Sequence, residues 1–176
     1  MQFVLAIIAL ILGAGYAPPE KAELEFSAQI AAKDEPGERM IITGVVYGAG
    51  GETPASDVIV HAYQTDANGH YDAEGRNPSP EHRLKAWVRT DGKGRYAFHT
   101  IRPAPYPRGG VPAHVHYVIL HADGSEQKAD LYFMGDPYLR DGHRPTEGPQ
   151  DDSLIRPVEM GEDGVLQVSA DLKLSS

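Results

Sequence analysis

The residues best suited to chemistry lie in Pro112-Ala-His114-Val-His116-Tyr117. In an extended strand, positions i and i+2 face the same side, so the two imidazoles can grip one metal ion together. Histidine is a common metal ligand, although an isolated His-x-His is more often an incidental pair of surface or core residues. Tyr106 stands eight positions before His114 in Arg102-Pro-Ala-Pro-Tyr106-Pro107, and Leu131-Tyr-Phe-Met-Gly-Asp-Pro137 follows. The chain has no cysteine, which excludes disulfides, thiolate metal sites, iron–sulfur clusters and thiol nucleophiles. Any metal must therefore be held by His, Tyr, Asp or Glu.

Four segments are similar, in order, to those of the intradiol ring-cleavage dioxygenases, the catechol and protocatechuate dioxygenases that use non-haem ferric iron. They are Asp57-Val-Ile-Val-His-Ala-Tyr-Gln-Thr-Asp-Ala-Asn-Gly-His-Tyr71, Thr90 through Pro103, Pro103-Ala-Pro-Tyr106, and Pro112-Ala-His114-Val-His116. The likeness runs from about Gly37 to about Leu139. It implies a ferric ion bound by Tyr71, Tyr106, His114 and His116, with Tyr71 and His114 equatorial and Tyr106 and His116 axial. A hydroxide or water would complete the sphere. Two phenolates and two imidazoles suit a hard cation, and such an ion would drive the phenols to ionise well below their usual pKa of about 10.

The resemblance further implies a catechol-type substrate and O2, with the ring cleaved between its two hydroxylated carbons to a muconate-type diacid. Tyr106 is then catalytic, releasing its phenolate to accept a substrate proton. Two positions depart from the family pattern. Val111 stands where arginine usually precedes Pro-Ala-His, and Asp130 stands where glutamine usually precedes the Leu-Tyr-Phe strand. Both remove polar support near the reacting ring, and Asp130 adds a negative charge expected to repel a catecholate.

The elements that must position these residues read as strands. Met40–Tyr47, Val58–Tyr63, Leu84–Arg89, Arg95–Thr100, Val115–His121, Ala129–Met134 and Val165–Leu172 are short and rich in β-branched and aromatic residues, with Gly, Asp and Pro turns between them. Asp91-Gly-Lys-Gly94 reads as a hairpin turn, and Gly135–Pro157 as the longest loop. No apolar period of 3.6 is sustained beyond the first residues. The expected fold is an all-β antiparallel β-sandwich over residues 39–176, with residues 18–38 as a linker or short helix outside it.

Residues 1–17 contain an apolar run of about a dozen positions followed by small Gly15 and Ala17, which reads as a cleavable secretory signal peptide. An uncleaved anchor and a buried helix are the alternatives, so contact with a membrane is expected only through this leader. The 176-residue chain is 41% hydrophobic and 23% charged, with a net charge of −9 and scattered Arg and Lys, a composition that excludes nucleic acid as the main partner. Assembly as a homo-oligomer stays open.

Two other functions fit parts of the sequence. Gly44-Val-Val and Pro54-Ala-Ser-Asp-Val-Ile-Val also occur in transthyretin-like sandwich binding modules, which need no metal. A metal-binding relative that has lost ring cleavage would account for Val111 and Asp130. The remaining histidines (His61, His70, His82, His99, His121 and His143) lack ligand spacing.

Overall fold

Alternation of apolar and polar residues generates two sheets that face each other. The computed structural model describes residues 24–75, 82–139 and 154–175. The expected signal peptide lies outside them. One sheet contains β1 (Ser27–Gln29), β2 (Arg39–Tyr47), β5 (Arg95–Ile101), β9 (Glu159–Met160), β10 (Leu166–Ser169) and β11 (Leu172–Lys173). Its order is β1-β5-β2-β10-β9, with β11 also paired to β2. The other contains β3 (Ile59–Gln64), β4 (Leu84–Arg89), β6 (His114–Leu120), β7 (Glu126–Phe133) and β8 (Leu154–Arg156), in the order β4-β3-β6-β7-β8.

The expected sandwich is therefore present, and no helix occurs among the described residues. Its centre is antiparallel: β2 with β5, β3 with both β4 and β6, and β6 with β7. The sheets are nonetheless mixed, because β1–β5, β2–β10, β2–β11 and β7–β8 pair in parallel.

Met40, Ile42, Tyr96 and Phe98 of the first sheet pack with Val60, Val115, Tyr117, Ile119, Leu131 and Phe133 of the second. Burying these side chains is the main favourable term in assembling the two layers. Gly44 lets the chain crowd together here. A Cβ on it would lie 2.3 Å from the Ala170 carbonyl oxygen, a distance no side chain tolerates.

Three expected boundaries shift for local reasons. The 18–38 segment contributes a strand, since β1 pairs with the open edge of β5. Glu35 from the same segment receives a two-pronged hydrogen bond from Arg83, at 2.6 and 2.8 Å. The strand expected over Val165–Leu172 is interrupted where the Asp171 carboxylate accepts the Val45 N–H at 2.9 Å. The loop expected over Gly135–Pro157 ends in β8, which pairs with β7 beside the site described next.

Candidate metal centre

Strand parity decides where the histidines point. Val115, Tyr117 and Ile119 of β6 face the core, so His114 and His116 project from the opposite, outer face of their sheet. There they meet Tyr63 of β3 and Asp130 of β7, both directly across from His116.

The two tyrosines arrive on loops that are built against each other. After β3, Asp66 forms a turn in which its carboxylate accepts the N–H groups of Asn68 and His70, at 2.8 and 3.0 Å. The Asp66 carbonyl then accepts the Ala104 N–H at 3.0 Å, and the Thr65 hydroxyl donates to the Ala104 carbonyl at 2.8 Å. These bonds dock the turn carrying Tyr71 onto the proline-rich loop carrying Tyr106. The Tyr71 carbonyl is itself held by the Arg83 N–H at 2.8 Å.

All four residues singled out in the sequence come together. The Tyr71 hydroxyl lies 2.8 Å from both the Tyr106 hydroxyl and His116 Nε2. His116 Nε2 lies 3.0 Å from His114 Nε2, which is 3.4 Å from the Tyr106 hydroxyl. Four donor atoms thus close a ring. Separations of this size are those between neighbouring ligands around one cation with bonds of about 2 Å.

In their neutral forms the two histidines cannot hydrogen-bond to each other. His114 Nδ1 is 2.7 Å from the Pro112 carbonyl, which can only accept. His116 Nδ1 is 2.6 Å from the Asp130 carboxylate. Each Nδ1 must donate, which leaves both neutral rings with a bare Nε2 lone pair. Two lone pairs directed at each other across 3.0 Å repel, and a cation between them would turn the repulsion into two bonds.

The electrostatics agree with that chemistry. Burial first, with a smaller contribution from the neighbouring His116, pushes the His114 imidazole down to about 4, keeping it in the neutral form that ligates metals. Burial first, then Tyr106, raise the Tyr71 phenol well above its ordinary value. Such a phenol ionises only if positive charge binds beside it. Tyr71 and His114 are buried, whereas Tyr106 and His116 are partly exposed.

Sequence reading missed several supports. Asp136 is buried, and its carboxylate accepts the Ala113 N–H at 3.1 Å and the Tyr138 N–H at 2.8 Å, which anchors the Pro112–His114 segment. Tyr63 stacks on His116 with ring centroids 4.6 Å apart, and on His82 at 3.9 Å. Asp130, expected to add a negative charge that repels a catecholate, accepts hydrogen bonds from His116 and from the Tyr132 hydroxyl at 3.3 Å. Val111 lies at the surface, 36% exposed.

A family model described as a dioxygenase matches residues 13–175. The chain belongs to the intradiol ring-cleavage dioxygenase family. It is 36% identical to the protocatechuate 3,4-dioxygenase beta chain of Burkholderia cepacia over 114 residues, which cover 58% of this chain and 48% of that one. It is 33% identical to the chlorocatechol 1,2-dioxygenase of Rhodococcus opacus over 124 residues, 60% of this chain and 48% of that one. The chain thus spans about half the length of these two relatives.

The fold is shared with the dioxygenase domain of a dioxygenase carbohydrate-binding protein fusion from Streptomyces sp. SirexAA-E. The TM-score is 0.67 at 22% identity, covering 93% of this chain and 95% of that one. The 3-chlorocatechol 1,2-dioxygenase of Rhodococcus opacus 1CP gives the same TM-score at 24% identity, covering 94% and 71%.

Proposed function

We propose that Tyr71, Tyr106, His114 and His116 hold a ferric ion, and that the protein uses O2 to cleave a catechol-type ring between its hydroxylated carbons, yielding a muconate-type diacid. The observation carrying this reading is the pair of Nε2 atoms 3.0 Å apart, closed into a ring by two phenolic oxygens. A pure binding module of the same fold has no need for that arrangement. When bound, the iron supplies Lewis acidity and a template for the two oxygens of a catechol. The close approaches join each phenol to the other phenol and to one imidazole, so all four residues would hold the same ion.

The chain's own residues divide the remaining work. Tyr71, locked by burial and by the Arg83 N–H, stays in place. Tyr106 is more exposed and makes the longest contact of the ring, 3.4 Å to His114. Ionised by the bound metal, it would be the phenolate able to swing aside and take the proton of an incoming catechol hydroxyl. Tyr63 and Asp130 keep His116 upright beneath that exchange.

Loading metal-free protein with Fe3+ tests the site, because tyrosinate-to-iron charge transfer gives a burgundy-red colour. Oxygen uptake with catechol, protocatechuate and hydroxyquinol then tests the reaction. Iron bound without colour overturns the ligand set; colour without oxygen uptake on any catechol favours a metal-binding relative that no longer cleaves rings. The leader over 1–17 supports action outside the cytoplasm, with the mature chain starting after Ala17. Amino-terminal sequencing of exported protein checks this, and an intact Met1 would overturn it.

A further inference from the structure

Three features outside the four donors stand out: a cavity of about 540 Å³ lined by Asp57, His121 and Leu174, the stack of Trp87, His61 and Tyr63, and the carboxylate of Asp130. The first two contain nothing that specifies a ligand or a reaction. The third touches the proposed centre through a defined hydrogen bond.

His114 and His116 are oriented by different means. His114 donates its Nδ1 proton to a backbone carbonyl, that of Pro112, so no side chain sets its tautomer. His116 donates to Asp130 Oδ1 at 2.6 Å, the shorter of the two bonds and one to a charged acceptor. The arrangement follows from register, since His116 and Asp130 lie directly opposite on β6 and β7. The second Asp130 oxygen accepts the Tyr132 hydroxyl at 3.3 Å, and the Tyr132 ring packs beside His114 with centroids 5.5 Å apart. With both oxygens engaged, Asp130 stands behind the His116 ring and does not compete with it as a ligand. Tyr63, stacked on the ring face, blocks rotation out of this alignment.

We infer that Asp130 is a positioning residue, whose carboxylate fixes His116 in the Nδ1–H tautomer, aims its bare Nε2 at the centre and makes it the stronger of the two imidazole donors. A carboxylate behind a ligating histidine raises the basicity of the ligand, and losing one typically weakens metal binding by about 10- to 100-fold. The consequence for iron rests on the proposed metal centre, but the tautomer itself can be measured without any metal.

The test compares the parent with Asp130→Ala and Asp130→Asn. Asn keeps an oxygen that can accept the Nδ1 proton but carries no charge. In metal-free, 15N-histidine-labelled protein at about pH 8, above the ordinary histidine range, NMR should report a single Nδ1–H tautomer at His116 in the parent and in Asp130→Asn. In Asp130→Ala it should report a mixture or the Nε2–H form. Competition against an Fe3+ chelator should then rank affinity as parent, Asn, Ala, with Ala down by about 10- to 100-fold.

If Asp130→Ala keeps both the Nδ1–H tautomer and the parent affinity while losing only thermal stability, Asp130 is a structural residue and the inference falls. Parent affinity in Asp130→Asn would remove the contribution assigned to charge. Failure of the parent itself to take up Fe3+ would sink the iron reading, while the tautomer would still decide the role of Asp130. Should the Ala variant not fold, the tautomer and affinity of the Asn variant decide.

Discussion

The hydroxyl oxygens of Tyr71 and Tyr106 lie 2.8 Å apart, although 35 positions separate them in sequence. What allows this is contact between their loops at Gly69. That residue has φ of +84°, and a Cβ on it would lie 2.2 Å from the Pro105 carbonyl oxygen. The two phenols can share one site because the turn has no side chain there. Gly69→Ala should therefore push the loops apart and strain the left-handed backbone, at a cost of about 1–3 kcal/mol. Thermal unfolding should register the loss, and iron stoichiometry should fall with it. Parent-like values of both would place the docking of the loops elsewhere.

The tyrosines should respond differently to loss of the hydroxyl. Tyr106→Phe removes the exposed phenol assigned to proton transfer and leaves three donors. Iron should be retained in part, the visible band should shift, and turnover should fall by roughly 10²-fold or more. Tyr71→Phe removes the buried oxygen that touches both Tyr106 and His116. Metal occupancy should drop more in this variant. Iron content per chain and the visible spectrum separate the two effects, and equal occupancy in both variants would contradict the division of labour.

Only part of the donor set was legible from local signals. The pairing of His114 with His116 follows from a period of 2, whereas Tyr71 and Tyr106 were marked as ligands by the resemblance to the intradiol dioxygenases. The seven expected strands rest on local alternation. What Asp130 touches was not legible, because its contact with His116 depends on the register of β6 against β7. A one-residue slip would carry it to the core face, and sequence spacing alone does not set that register. Strand β1 was missed for a related reason: three residues carry no pattern, and the open edge of β5 makes them a strand. The pairings that run in parallel, β2–β10 among them, join segments separated by more than a tight turn, where no turn signal reports direction.

Asp136 gives a prediction about the loop carrying the histidines. Its two oxygens separately accept the Ala113 and Tyr138 N–H groups in a buried position. An Asp136→Asn side chain has one accepting oxygen, so one of these N–H groups would face an amide NH2. Leaving a buried donor unmet costs about 1–3 kcal/mol. The melting temperature should fall accordingly, and amide exchange at Ala113 or Tyr138 should accelerate. Unchanged exchange at both would mean the carboxylate does not hold the loop.

His61 should give the fold a measurable acid sensitivity. It is fully buried on the outer sheet face, stacked on Trp87 with centroids 4.1 Å apart. Burial first, then the charges of His82 and Lys85, push its imidazole from 6.5 down to about 3. Between those values the unfolded chain binds a proton that the folded chain refuses, so stability rises with pH across the window and is lost on acidification. One such group contributes a slope of at most about 1.4 kcal/mol per pH unit, or on the order of 3 kcal/mol between its unfolded pKa and about pH 4. His61→Phe keeps a ring against Trp87 and removes the titration. Its unfolding free energy, followed by denaturant titration from about pH 7 to 4, should fall less steeply than the parent's, whatever the offset at neutral pH. His114, pushed down to about 4, acts in the same direction in metal-free protein. It is common to both proteins, so their difference in slope isolates His61. Parallel curves would mean that the buried imidazole takes up its proton without unfolding the sheet around it.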